Sequence, residues 1–171
     1  MSRRLPQLLP APRPRAEVLL ARDPAASVYV DGSALSRYLP AAPEARPWAS
    51  WASEHEGVLV VSAVSVLEAR VTAGLLGTDA TLALLAVLVR VPRMRLSDQV
   101  LRRAVLLPGD LGPFAALHVG AARAHLDVRT IATYDPATAR AAATVGLDVV
   151  SPGRPAGWWG SSQVPRATLV A

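Results

Sequence analysis

The sequence predicts an α/β fold of three layers, α/β/α, with a central parallel sheet between two layers of helices. Three observations predict it. Short apolar runs alternate with helical patterns between residues 27 and 152. The runs are continuous in apolar residues rather than alternating with polar ones, which suits strands covered on both faces. Each helical pattern opens at a capping residue or a proline, so the chain passes repeatedly from strand to helix, as it does when helices flank a parallel sheet.

In chain order, Ser27-Val28-Tyr29-Val30 reads as a first strand ending at Asp31. Ser33 is expected to cap a helix through Tyr38, halted by Pro40. Val58-Leu59-Val60-Val61 reads as a second strand, ending near Ser62, and Ser65 as the cap of a helix through Glu68 to Ala73. Thr78 and Asp79 open an apolar helical stretch to Leu88; Ser97 and Asp98 open a run to Leu107. Pro113 suits the first turn of a helix reaching His125, after which Val128 to Ala132 reads as a third strand. Pro136 starts a helix ending before Gly146, and Val149-Val150 is a short last strand. No internal repeat is present.

Length and composition bound the chemistry. A chain of 171 residues, 51% apolar and 18% charged, suits one domain with its own core. The absence of cysteine excludes disulfides, thiolate nucleophiles and iron–sulfur sites. All 18 basic residues are arginine, which excludes a Walker A loop and any catalytic or Schiff-base lysine. Without lysine the chain also fails as a phosphorelay receiver, and Ser33 stands where a haloacid-dehalogenase-like phosphatase needs a second aspartate. Neither a Gly-x-Ser-x-Gly elbow nor a Gly-x-Gly-x-x-Gly loop occurs.

The net charge of +5 lies in the tails: residues 1–22 carry five arginines against one acid, and residues 153–171 carry two against none. The stretch between is nearly neutral, unlike a body that grips a duplex over its whole surface. Residues 1–26, rich in Pro and Arg, read as a basic flexible arm, either a solvated tail or an electrostatic contact for nucleic acid. Residues 153–171 read as a loop-like C-terminal tail whose Trp158–Trp159 pair is expected to pack back on the domain. No uncharged run approaches the roughly 20 residues of a membrane span, and the prolines interrupt any secretory signal, so no membrane partner and a cytoplasmic location are expected. Residues 81–89 are apolar on nearly every side of a helix, which predicts association, as a homodimer or with a partner.

In an open parallel sheet, ligands bind beyond the carboxyl ends of the strands. Asp31 follows the first strand, Asp135 the third, and Glu68 stands six residues beyond the second strand's end at Ser62. Each acid alone also suits a helix cap. Together they direct three carboxylates at one rim, where they repel unless a cation lies between them. Hard oxygen donors without cysteine favour Mg²⁺ or Mn²⁺.

At these residues the chain resembles the PIN domains, specifically the VapC-type toxins. The resemblance rests on Asp31-Gly32-Ser33-Ala34-Leu35, Ser62-Ala63-Val64-Ser65-Val66-Leu67-Glu68, Phe114-Ala115-Ala116-Leu117-His118-Val119-Gly120-Ala121 and Thr133-Tyr134-Asp135, followed by Ala141-Ala142 and Gly146-Leu147. These motifs fall in order between residues 27 and 152. The resemblance implies a PIN-like fold and a metal-dependent endoribonuclease, with Asp31, Glu68 and Asp135 as metal ligands. It also implies RNA as substrate and a cognate antitoxin as partner. Two positions depart from the family. Ala115 stands where the third motif normally carries an aspartate, and Gly32 where Thr or Ser is usual. Asp110, in a loop upstream, is a candidate replacement for the missing acid. His118 matches a position that reads as structural, and with His125 seven residues away it cannot share a metal. The loss of one acid sets a second expectation beside the nuclease: a PIN-fold binding module that pairs with an antitoxin or RNA without cutting.

Overall fold

The computed structural model describes residues 27–160; the arm over 1–26 and the end of the tail beyond 160 lie outside them. Strand β1 (Ser27–Val30) occupies an interior place in the sheet, paired in parallel with β2 (Leu59–Val61) on one side and β3 (Val128–Ala132) on the other. Strand β4 (Asp148–Val150) adds to β3, giving a four-stranded parallel sheet in the order β2-β1-β3-β4. Beyond β2 the chain adds a parallel bridge, Val61 with Arg93, so that the β2 edge is partly covered.

Residues of one strand alternate between the faces of the sheet. Val28 and Val30 enter the core on one face with Leu59, Val61 and Ala132; Tyr29 enters the other with Val60 and Ile131. Every residue of β1 and β2 is buried, the physical reason that their sequences are unbroken apolar runs.

Among the described residues, seven α-helices form the outer layers. On the first face lie α1 (Gly32–Leu35), α2 (Ala45–His55), α3 (Ala63–Leu76) and α4 (Thr78–Leu88), which contribute Leu35, Trp48, Ala69 and Leu84 to the core. On the second lie α5 (Asp98–Ala104), α6 (Pro113–Ala124) and α7 (Pro136–Thr144), with Val100, Val119 and Ala142. Helices α5 and α6 approach closely at Gly120, where a Cβ would sit 2.8 Å from the Val100 carbonyl oxygen. The α/β/α layering expected from the sequence is the architecture found.

Several local expectations shift. Asp31, not Ser33, caps the first helix, accepting the Ala34 N–H at 2.8 Å, and the helix gives way after Leu35 to a 3-10 turn over Ser36–Tyr38. Ser62, not Ser65, is the cap of α3; Ser65 completes a capping box with it, and the helix runs on to Leu76. The run from Asp98 ends as a helix at Ala104 rather than Leu107. Helix α2 lacks a capping signal, since Glu44 at its N-terminus has φ +54° and makes no side-chain cap. Trp48, Trp51, Ala52 and His55 nevertheless recur at helical spacing, and Pro47 falls in the first turn, where a helix tolerates it. Burial of Trp48 and Ala52 holds it in place.

The Trp158–Trp159 pair packs back on the domain, as expected. Trp158 Nε1 donates to Ser151 Oγ at 3.0 Å, and Arg140 donates to the Trp159 carbonyl at 2.9 Å. Helix α4 buries Ala80, Leu84 and Val87 but leaves Leu82 59%, Leu85 49% and Val89 80% exposed, so half of this apolar helix faces outward. No helix among the described residues is long and apolar enough to cross a membrane.

Candidate active site

The chain leaves β1 toward β2 on one side and later returns to place β3 on the other, so the carboxyl ends of β1 and β3 flank the point where the strand order reverses. That is where an open parallel sheet forms its crevice. Asp31 and Asp135 both lie there, one residue and three residues beyond their strands.

Asp31 is buried, and its carboxylate accepts three hydrogen bonds from neutral donors. Oδ1 accepts from Ser33 Oγ at 2.7 Å and from the Ala34 N–H at 2.8 Å; Oδ2 accepts from Thr133 Oγ1 at 2.5 Å. Burial pushes the Asp31 carboxyl above its ordinary range, opposed by the nearby His118 and by the bonds from Thr133, Ala34 and Ser33. Thr133 also accepts the Asp135 N–H at 3.0 Å, and Ser33 Oγ accepts the Tyr134 N–H at 2.7 Å. The turn after β1 and the turn after β3 are thereby joined by side chains across the crevice. Asp135 caps α7: its Oδ2 accepts both the Thr138 N–H at 2.7 Å and Thr138 Oγ1 at 2.6 Å.

Glu68 reaches the same rim from the second turn of α3. Its side chain lies directly against Gly32, where any Cβ would overlap both the carboxylate and the Cβ of Glu68. A threonine or serine at position 32 has no room beside Glu68 as it stands. Glu68 Oε2 accepts from His118 Nε2 at 2.7 Å, and the side chain remains 31% exposed. It lines an open cavity of about 480 Å³ with Ser33, Ser36, Leu67, Val71 and Phe114.

His118 reads as structural in the sequence, and its contact with Glu68 emerges only in the structure. It is 2% exposed on α6, three residues after Ala115 and hence on the same helical face. That spacing from the degenerate position was the available signal. Its other nitrogen, Nδ1, lies 2.7 Å from the hydroxyl of Tyr29, which in turn lies 2.7 Å from Ser62 Oγ and accepts from Ser65 Oγ at 3.2 Å. Burial pushes the Tyr29 phenol well up, so it stays neutral.

Ala115 is buried in the first turn of α6 and brings no oxygen to the rim. Asp110 lines a separate cavity of about 190 Å³ with Pro108, Leu111, Ala137 and Arg140, and none of Asp31, Glu68 or Asp135 borders it.

Among the described residues, Asp31, Glu68 and Asp135 have no arginine ion-pair partner; His118 on Glu68 is their one basic neighbour. Three carboxylates on one rim without arginine have the donor chemistry of a hard divalent cation, which supplies the missing positive charge. In chemistry, therefore, the residues present fit Mg²⁺ or Mn²⁺. The side chains as they stand do not draw together into a group of three that holds an ion, among the described residues. No protein-family model matches the chain, and no curated protein matches it either.

Proposed function

We propose that the protein is a metal-dependent endoribonuclease of the PIN/VapC type, acting in the cytoplasm and regulated by a cognate antitoxin. The observation that supports the reading is the placement of Asp31, Glu68 and Asp135 at three strand–helix junctions on one rim of a parallel sheet, with no arginine ion-paired to any of them among the described residues. Asp31, Glu68 and Asp135 would hold Mg²⁺ or Mn²⁺. The ion supplies two things: it lowers the pKa of a bound water and it steadies charge on a phosphodiester. The chain's own residues do the rest. Thr133 and Ser33 fix the Asp31 carboxylate and tie the two turns of the crevice together. Glu68, partly exposed beside the 480 Å³ cavity, faces arriving RNA. The outward apolar half of α4 supports a homodimer.

A second reading, a non-catalytic PIN-fold binding module, is favoured by one observation: Ala115 offers no oxygen, and Glu68 is engaged by an imidazole one turn further along α6. Incubation of purified protein and a mixed RNA pool with Mg²⁺ or Mn²⁺ separates the two. The nuclease reading expects cleavage that Asp31→Asn abolishes. Intact RNA across the millimolar range of both metals would replace it with the binding module.

A further inference from the structure

A buried chain of hydrogen bonds behind Glu68 links the capping box of α3, Tyr29 and His118. We propose that His118 is a positioning residue: its ring, held from behind at Nδ1 by the Tyr29 hydroxyl, keeps the Glu68 carboxylate at the rim through Nε2. This rests on the reading of Glu68 as a metal ligand.

The line is continuous from the capping box to the rim. Ser65 Oγ accepts the Ser62 N–H at 3.2 Å and donates to the Tyr29 oxygen; Ser62 Oγ accepts the Ser65 N–H at 3.3 Å and lies 2.7 Å from the same oxygen. The Tyr29 hydroxyl lies 2.7 Å from His118 Nδ1, and His118 Nε2 lies 2.7 Å from Glu68 Oε2. Every polar atom along the line has a partner.

The line also closes on itself. It begins at Ser62 and Ser65, the capping box of α3, crosses β1 at Tyr29 and α6 at His118, and ends on Glu68, six residues after Ser62 on that same α3. Glu68 is thus oriented against the start of its own helix through two other elements, rather than by its own rotamer alone. Hydrogen-bond partners of metal-binding side chains typically matter by about 10–100-fold in metal affinity.

The test combines side-chain ¹⁵N spectra of His118 with Mn²⁺ titration followed by electron paramagnetic resonance. In the wild type both ring nitrogens are expected to report hydrogen bonds, and Tyr29→Phe to lose the one at Nδ1 and loosen the one at Nε2. His118→Ala is expected to weaken Mn²⁺ binding by about 10–100-fold, and His118→Gln, whose amide can donate to Glu68, to recover most of it. A wild-type ring whose Nε2 shows no hydrogen bond overturns the proposal. So does unchanged Mn²⁺ affinity in His118→Ala where Glu68→Gln lowers it. If the wild type takes up no Mn²⁺ at all, the metal reading of the rim falls, and the spectra decide the positioning role by themselves. They need no variant that folds.

Discussion

Replacing Gly32 by alanine puts the closest packing in the site under load. A Cβ at this position overlaps two parts of Glu68, the carboxylate end and the Cβ stem. Rotation of the side chain relieves the first overlap but not the second, because the stem is fixed to α3. Helix α3 must therefore shift against α1. Forcing extra volume into a packed contact costs typically about 1–3 kcal/mol. Gly32 is the first residue of α1, so the roughly 1 kcal/mol returned on replacing a glycine in a helix interior does not offset this, and the net loss stays at about 1–3 kcal/mol. In a chain of this size that lowers Tm by about 2–4 °C per kcal/mol. Gly74, on the same α3, provides the internal control. Nothing lies within 4 Å of a Cβ there, so Gly74→Ala should stabilise by about 0.4–1 kcal/mol. Urea unfolding of both variants measures the contrast. Equal or higher stability of Gly32→Ala than of wild type, with Gly74→Ala stabilised as expected, would refute the claim that Glu68 and Gly32 are locked together.

Ala115→Asp should tighten Mn²⁺ binding and raise RNA cleavage at millimolar Mg²⁺. A carboxylate in the first turn of α6 gains about 0.3–1 kcal/mol from the helix dipole, and unchanged affinity and cleavage would count against a metal site. Burial raises the Asp31 carboxyl in the folded state, so the native protein holds that proton more tightly than the unfolded chain does. Stability should then fall as pH rises from the unfolded carboxyl value, about 3.9, through the raised folded one. Subtracting the Asp31→Asn profile in metal-free buffer isolates this share, and a difference that rises with pH would contradict it. Leu85→Glu, on the outward half of α4, should convert a micromolar dimer to monomer in light scattering without loss of folding, since Leu85 is 49% exposed. A wild type that is already monomeric at that concentration removes the dimer.

The sequence determined by itself those features whose forces act within a few residues. A strand covered on both faces must be apolar at every position, so β1 and β2 can be read directly from residues 27–30 and 58–61. Prolines open α6 and α7, and Asp135 satisfies α7 through a residue three places away, so these helix starts are also local. The pattern equally brought Asp31, Glu68 and Asp135 to the same rim, because parallel topology sends every strand's carboxyl end to one side. Only the tertiary structure decided what those acids touch. Thr133 bonds Asp31 across 102 positions in sequence, Tyr29 meets His118 across 89, and His118 meets Glu68 across 50. Such pairings depend on how far one layer slides over another, a quantity set by the summed packing of both cores and written in no single segment. Helix α2 lies between the two cases: Trp48, Trp51, Ala52 and His55 recur at helical spacing in the sequence, while its start at an uncapped, left-handed Glu44 and the burial of Trp48 were decided by the fold.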